Sequence, residues 1–466
     1  MKLCYHQPTC FENPADGRPL KGIDLAYFKR GLYFLGGIAS FSFQASDEKL
    51  HKAFRQMLVT VPLLRTRVVG GDAEEEQGEG GSSLSPVFKA IKDPNEWPML
   101  KILEPALTDK EALARVRNFK STTEAMFLQD KETQRTSLRF AICRGKQSNK
   151  LYVAVVVPHL FLDGTGLGIA VFKTMVYAKL PRIFWPLLNF MWKDRSVPLF
   201  MEMSFKKDYH LYREVDGSLV KHIDNPNGLT FGDADPSTLD GFEQIVVGQH
   251  DTNKVINHFK KVIKAQNLTI SIAFMGLAIK VIGNLMRDRS FETVRSSLGC
   301  DARYLGKWGD RRDYQLVGGN YAYSLRTNIS AELACKGSWQ EIALLVQNHL
   351  KRIRNDIEYR LHYMQYHVGE RYEFCDYYVG VSSVMIPNSL VRYGLGLTEL
   401  DVFINFGPTP RCWFYFITIG SNTQLAFDIM LPGVKKENVR SVLQNIIKNS
   451  DFEPLFNILD DGLNGC

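Results

Sequence analysis

Apolar and polar positions divide this chain into alternating helical and extended stretches along most of its length. Asp47 to Val59 (DEKLHKAFRQMLV) places Leu50, Phe54, Met57 and Leu58 at helical spacing behind an acidic start, which predicts an amphipathic helix. Pro62 stops it, because proline lacks the amide a further turn needs, and Leu63 to Val69 (LLRTRVV) is expected to resume as a strand. Ahead of the helix, Ile23 to Phe34 reads as a loop feeding a short helix, and Ile38 to Phe43 as a strand. Val87 to Ile91, Ser137 to Cys143 and Tyr152 to Val157 follow as strands, the last two joined by a turn over Gly145 to Asn149. Val153 to Val157 (VAVVV) has no polar face, so it predicts a central strand covered on both sides. A helix over Leu167 to Tyr177 leaves it.

From Asp194 to about Glu243 the chain turns polar and loses periodicity. The second half opens with a strand at Gln244 to Gly248, then helices at Asn253 to Lys264 and Ile270 to Met286. Strands near Val294 to Cys300 and Asn320 to Leu325, a long helix from Trp339 to Ile357 and strands at Tyr378 to Val384, Cys412 to Ile419 and Leu425 to Met430 come next. Lys436 to Lys448 is the last predicted helix. The fold class is therefore α/β with mixed sheets in both halves, and no internal repeat is visible. A chain of 466 residues exceeds one ordinary core. The expected division is a first domain over 1–195, a crossover linker over 196–243 and a second domain over 244–466. Gly70 to Pro86, rich in Gly, Ser and acid, reads as a solvated surface insertion.

Composition changes this picture little. Apolar residues make up 45% of the chain and charged residues 23%, which is ordinary for a globular protein. The net charge of +7 comes from 57 basic against 50 acidic residues without a block of one sign, so no nucleic-acid partner is implied. The eight cysteines show neither a C-x-x-C pair nor metal-ligand spacing, and they read as reduced thiols with no metal site. Met1 to Cys10 lacks the apolar core of a secretory signal, so a cytoplasmic location is expected. Leu180 to Trp192 is apolar but interrupted by Pro181, Arg182 and Pro186. It reads first as a buried or lid segment over an apolar pocket, and alternatively as a peripheral membrane contact.

Chemistry concentrates just after the VAVVV strand, in Pro158, His159, Leu160, Phe161, Leu162, Asp163 and Gly164 (PHLFLDG). A histidine where a buried strand turns toward a helix is placed to reach a cleft, and neutral imidazole accepts a proton near neutral pH. Asp163, with Gly164 beside it, can fold back and brace the turn. The bare H-x-x-x-D-G pattern is weak, and a histidine and aspartate that merely fix a turn would look the same. Its position between an apolar strand and an apolar helix gives it weight.

This segment resembles the H-x-x-x-D-G signature of the chloramphenicol-acetyltransferase-like superfamily, which includes BAHD acyltransferases, peptide-synthetase condensation domains and wax-ester synthases. Leu20 to Phe28 (LKGIDLAYF), Cys300 to Leu305 (CDARYL), Gly319 with Asn320, and Val381 to Val384 (VSSV) fall in the order that BAHD enzymes show. Asn405 to Pro410 (NFGPTP) resembles their Asp-Phe-Gly-Trp-Gly box, with Asn405, Pro408 and Thr409 departing from it. Where wax-ester synthases carry a His-His pair, Pro158 occupies the first place, which leaves His159 as the base.

The resemblance implies two chloramphenicol-acetyltransferase-like domains joined by a crossover segment, with a substrate channel between them. It implies a monomeric acyltransferase, as in secondary metabolism, that moves an acyl group from acyl-CoA to a hydroxyl or amine of a small molecule. His159 would be the general base of a direct attack, with no permanently bound cofactor and acyl-CoA as co-substrate. Asp163 and Gly164 would support the motif, with Arg303 as the carboxylate's partner, and Ser383 or Ser382 could donate to the oxyanion. A condensation-type enzyme fed by a carrier protein and a catalytically silent binding or scaffold member are the alternative readings.

Overall fold

The computed structural model describes residues 16–20, 24–25, 27–28, 33–71, 85–130, 133, 135–192, 243–246, 249–288, 291–301, 322–354, 379–386, 394–405, 411–419, 422–430, 434–447 and 452–457. Along the chain run β1 (Phe34–Phe41), α1 (Asp47–Thr60), β2 (Thr66–Val69), β3 (Val87–Ala90), β4 (Leu100–Ile102), α2 (Asp109–Gln129), β5 (Arg139–Gly145), β6 (Lys150–Pro158), α3 (Gly164–Lys179) and α4 (Trp185–Trp192). The remainder comprises β7 (Glu243–Val246), α5 (Gln249–Ala265), α6 (Ile270–Leu285), β8 (Thr293–Asp301), β9 (Ala322–Ser330), α7 (Ala331–Lys336), α8 (Trp339–Arg354), β10 (Val379–Ile386), β11 (Leu397–Asn405), β12 (Arg411–Ile419), β13 (Asn422–Met430) and α9 (Lys436–Ile446). The chain forms two compact units. One takes Met1–Lys207, Arg303–Tyr321 and Ser389–Asn405, and the other Asp208–Ala302, Ala322–Asn388 and Phe406–Cys466. The first unit thus recruits two stretches from the C-terminal half, β11 among them.

In the first unit the sheet order is β11-β1-β6-β5-β4, with β1 antiparallel to both neighbours. The VAVVV run lies in β6, and the residues from Leu151 to Pro158 are all buried. Alternation along the strand divides its cover. Tyr152 and Ala154 pack with Ala112 and Val116 of α2, and Val156 clusters with Phe34 and Phe127. Away from that cluster, Phe54 of α1 meets Phe140 of β5 at 5.2 Å between ring centroids and Phe172 of α3 meets Phe41 of β1 at 5.8 Å.

Helix α1 starts at Ser46, whose hydroxyl accepts from the Lys49 amide at 3.3 Å, and it buries the predicted stripe Leu50, Phe54, Met57 and Leu58. The strand expected from Leu63 starts later. Pro62–Arg65 is a short 3-10 turn, since proline's fixed φ and missing amide suit the first turn of a helix, and extension resumes only at Thr66. Helix α2 has no counterpart in the expected elements. Only Ala112, Val116, Thr123 and Phe127 are buried along it, and this narrow stripe is diluted by charge. The Leu180 to Trp192 stretch also departs from its first reading. Leu188 and Trp192 are buried, but Ile183, Phe184, Leu187, Phe190 and Met191 face outward.

The second unit carries the sheet β7-β13-β12-β10-β8-β9, in which β8, β10 and β12 run parallel. Helix α6 is apolar nearly all round and is buried accordingly, with Phe274 against Phe414 and Phe416 of β12 at 4.9 and 4.6 Å. A Cβ at Gly276 would strike the Trp339 carbonyl and Ala343, so glycine lets α8 approach the α6 backbone. Among the described residues no single helix is long and apolar enough to cross a membrane.

Deep in this unit Arg411 Nε donates to Asp428 Oδ2 at 2.7 Å, with both side chains at 2% exposure or less. Burial pushes the Asp428 carboxyl up to about 6, against the opposing pull of Arg411. A carboxyl with a raised folded-state pKa binds its proton more tightly folded than unfolded, so this contribution to stability falls as pH rises from 3.8 through about 6. Urea denaturation of wild type and Asp428→Asn across that range should show the difference. The wild type is expected to lose on the order of 3 kcal/mol relative to the variant as the buried acid ionises. Parallel pH slopes would contradict this.

Candidate active site

His159 follows the last residue of β6. Phe34 of β1 stands opposite Pro158, and the His159 amide donates to the Tyr33 carbonyl at 2.9 Å, so pairing continues one step beyond the strand. On the other side of β1, Phe34 is also in register with Asn405, the last residue of β11. The first residue of the NFGPTP box therefore ends its strand at the same end of the sheet as the histidine. The apolar spacer Leu160, Phe161 and Leu162 is buried, with Phe161 against Phe88 of β3 at 5.6 Å, and the Phe161 amide donates to the Pro158 carbonyl at 3.0 Å. These three side chains hold the loop down by burial.

Asp163 is the N-cap of α3. Its backbone is extended and its Oδ1 accepts from the Gly166 amide at 2.6 Å. A carboxylate there fills the hydrogen-bonding need of the first helical turn and complements the positive end of the helix dipole. Gly164 is the first residue of the helix and does not adopt a left-handed conformation, so the turn does not depend on its conformational freedom.

The His159 side chain is nearly enclosed, at 5% exposure for the residue. Its Nδ1 is buried and has no hydrogen-bond partner among the described residues. The residue's own carbonyl acts on the ring electrostatically, without the geometry of a hydrogen bond to that nitrogen. Tyr27 lies against the imidazole at 4.6 Å between centroids, tilted by 35°, and Tyr33 follows at 5.1 Å from Tyr27. Burial pushes the His159 pKa below its usual 6.5, while its own carbonyl and the nearby Asp163 charge pull the other way. The ring is therefore neutral at physiological pH. An enclosed polar atom without a partner costs about 1–3 kcal/mol, and a purely structural histidine would be expected to avoid that cost.

One turn thus gathers His159, Asp163 and Gly164. Arg303, the expected partner of Asp163, lies outside the described residues. Ser382 and Ser383 belong to β10 of the second unit, where Ser382 Oγ accepts from Trp413 Nε1 at 3.0 Å and Ser383 is exposed. Sequence reasoning gave no role to Tyr27 or Tyr33. Tyr27 stands in LKGIDLAYF, but nothing in that segment announces a ring contact with a residue so distant in the chain.

No family model and no curated protein matches the sequence. Solved structures do match over nearly the whole chain. The first condensation domain of the calcium-dependent antibiotic synthetase, in complex with substrate analogue 3a, is 13% identical and aligns over 97% of this chain and 98% of its own, with a TM-score of 0.60. TRI3 trichothecene 15-O-acetyltransferase from Fusarium sporotrichioides is 14% identical over 94% of each chain at a TM-score of 0.58. The fold is chloramphenicol-acetyltransferase-like. The X-domain from teicoplanin biosynthesis has it too, at 11% identity, 97% and 96% coverage and a TM-score of 0.60. Identities this low establish the architecture alone, so the properties of the motif rest on the geometry above.

If the Asp163 carboxylate is chiefly a helix cap, Asp163→Ala should lower stability by about 1–2 kcal/mol in chemical denaturation, and Asp163→Asn, which keeps an acceptor, by clearly less. Equal losses for both would assign the carboxylate's importance to its charge.

Proposed function

We propose that this protein is an acyltransferase that moves an acyl group from acyl-CoA to a hydroxyl or amine of a small molecule, with His159 as general base. The observation that carries the reading is the enclosed imidazole at the end of β6, whose pKa burial depresses and whose Nδ1 has no hydrogen-bond partner among the described residues. In this reaction the imidazole takes the proton of the acceptor as its oxygen or nitrogen attacks the thioester carbonyl. The tetrahedral intermediate collapses, the C–S bond breaks, and the proton passes to the departing thiolate. No acyl-enzyme is required. Asp163 positions the loop through the helix it caps. A carrier-bound thioester is the second donor to consider, favoured by the alignment of the whole chain with a condensation domain.

Purified protein incubated with acyl-CoAs from acetyl to long-chain, with cell extract as acceptor source, should release free thiol, and His159→Ala should reduce release by about 10²- to 10⁴-fold. Release only from carrier-loaded acyl groups would select the second donor. An unchanged rate in the variant would leave a binding or scaffold role.

Because a general base must be deprotonated, kcat/KM should rise with pH through the folded-state pKa of His159 and level off above it. Burial depresses that pKa, so the midpoint of the acid limb is expected below 6.5. A midpoint at or above 6.5 in the pH–rate profile would contradict the assignment.

A further inference from the structure

Helix α4 and the 3-10 turn Arg182–Phe184 before it expose apolar side chains on one face and bury polar contacts on the other. Ile183 is 79% exposed, Phe190 72%, Leu187 57%, Phe184 49% and Met191 46%, and their spacing lays them along one helical stripe. The opposite stripe is anchored inward. Leu188 and Trp192 are buried, Asn189 Oδ1 accepts from Tyr177 Oη at 2.6 Å and from Gln56 Nε2 at 2.9 Å, and Trp185 Nε1 donates to the Tyr177 carbonyl at 3.1 Å. Beneath it, fully buried Lys173 of α3 directs Nζ to the Trp192 carbonyl at 3.4 Å and the Thr60 carbonyl at 3.5 Å. The segment is therefore rigidly mounted with its apolar side outward, the reverse of a helix that faces water.

We infer that this face docks on a membrane surface containing anionic lipid. The five residues together expose roughly 600 Å², at the upper end for the largest apolar patch of a soluble monomer and short of the roughly 800 Å² per partner that a stable protein complex buries. The charge around the stripe fits an anionic surface. Lys179 and Arg182 flank it, and α1, which touches it through Lys49 Nζ on the Lys179 carbonyl and Gln56 on Asn189, adds Lys49, Lys52 and Arg55. Two carboxylates of α1 stand beside these five cations, Asp47 paired with Arg144 and Glu48 shared between Lys52 and Arg182, so positive charge remains in excess, with Lys49, Lys179 and Arg55 outside those ion pairs. Aromatic and aliphatic side chains would enter the headgroup boundary while the cations meet lipid phosphates and carboxylates. Because the helix is already held in place, insertion does not require its backbone to be ordered anew.

Flotation of the full chain with vesicles tests this. With phosphatidylcholine containing about 30 mol % phosphatidylserine the protein should float, at least about tenfold more than with phosphatidylcholine alone. Leu187→Glu with Phe190→Glu should abolish flotation on both, and Lys179→Glu with Arg182→Glu should remove the preference for anionic vesicles. The milder Phe190→Ser serves if the double variant fails to fold, and thermal melts establish which has folded. Absence of flotation, equal flotation on both vesicle types or full flotation of the folded apolar variants overturns the inference. So does a concentration-dependent dimer in sedimentation that Phe190→Ser dissociates without any vesicle binding, which would make the stripe an interface between copies.

Discussion

The candidate site depends on one strand held between two others. Strand β1 pairs with β6 on one edge and β11 on the other, and the three end in register at Asn405, Phe34 and Pro158. The bond from the His159 amide to the Tyr33 carbonyl extends that pairing into the loop. A histidine in an unpaired loop would sample many backbone states, and this hydrogen bond removes that freedom at His159. Burial of Leu160, Phe161 and Leu162 and the Asp163 cap then fix the rest of the turn, so the motif is rigid at both ends and throughout its spacer.

Much of this was legible in the sequence because burial leaves a pattern. An unbroken VAVVV run can lie only where both faces are covered, and the stripe of α1 names its own inner face. Helix α2 escaped because its buried set is sparse and interrupted by Lys and Arg, so the helical period is carried by sheet contacts that no local pattern reveals. Strand β11 escaped for a different reason. Its place is fixed by pairing with β1, more than 350 residues earlier in the sequence, and register between distant strands is not encoded in either strand alone. The Pro62 turn shows a smaller limit. Proline marks a boundary clearly but does not say whether the chain turns or extends immediately beyond it.

The site was legible in a similar, partial way. His159 and Asp163 announced themselves by spacing and context, yet the role of Asp163 as a helix cap depends on a 2.6 Å contact made after folding. Gly164, which looked like a turn residue, is an ordinary first residue of a helix. Tyr27 could not be found from sequence, since its contact with His159 depends on the N-terminal segment returning to the end of β6.

Two buried ionisable sites show why burial alone does not identify function. Asp428 is buried with an arginine beside it, and its electrostatics are settled within the protein: desolvation raises the carboxyl, the guanidinium partly compensates, and the pair is a structural element of the second unit's sheet. His159 is also enclosed but, among the described residues, is compensated by no more than its own carbonyl and a carboxylate already engaged as a cap. Desolvation therefore keeps it neutral instead of pairing it, which is the protonation state a base needs. The three apolar spacer residues hold the loop down by burial while Tyr27 lies against the ring, so placing the imidazole and covering it fall to different side chains that meet at one turn.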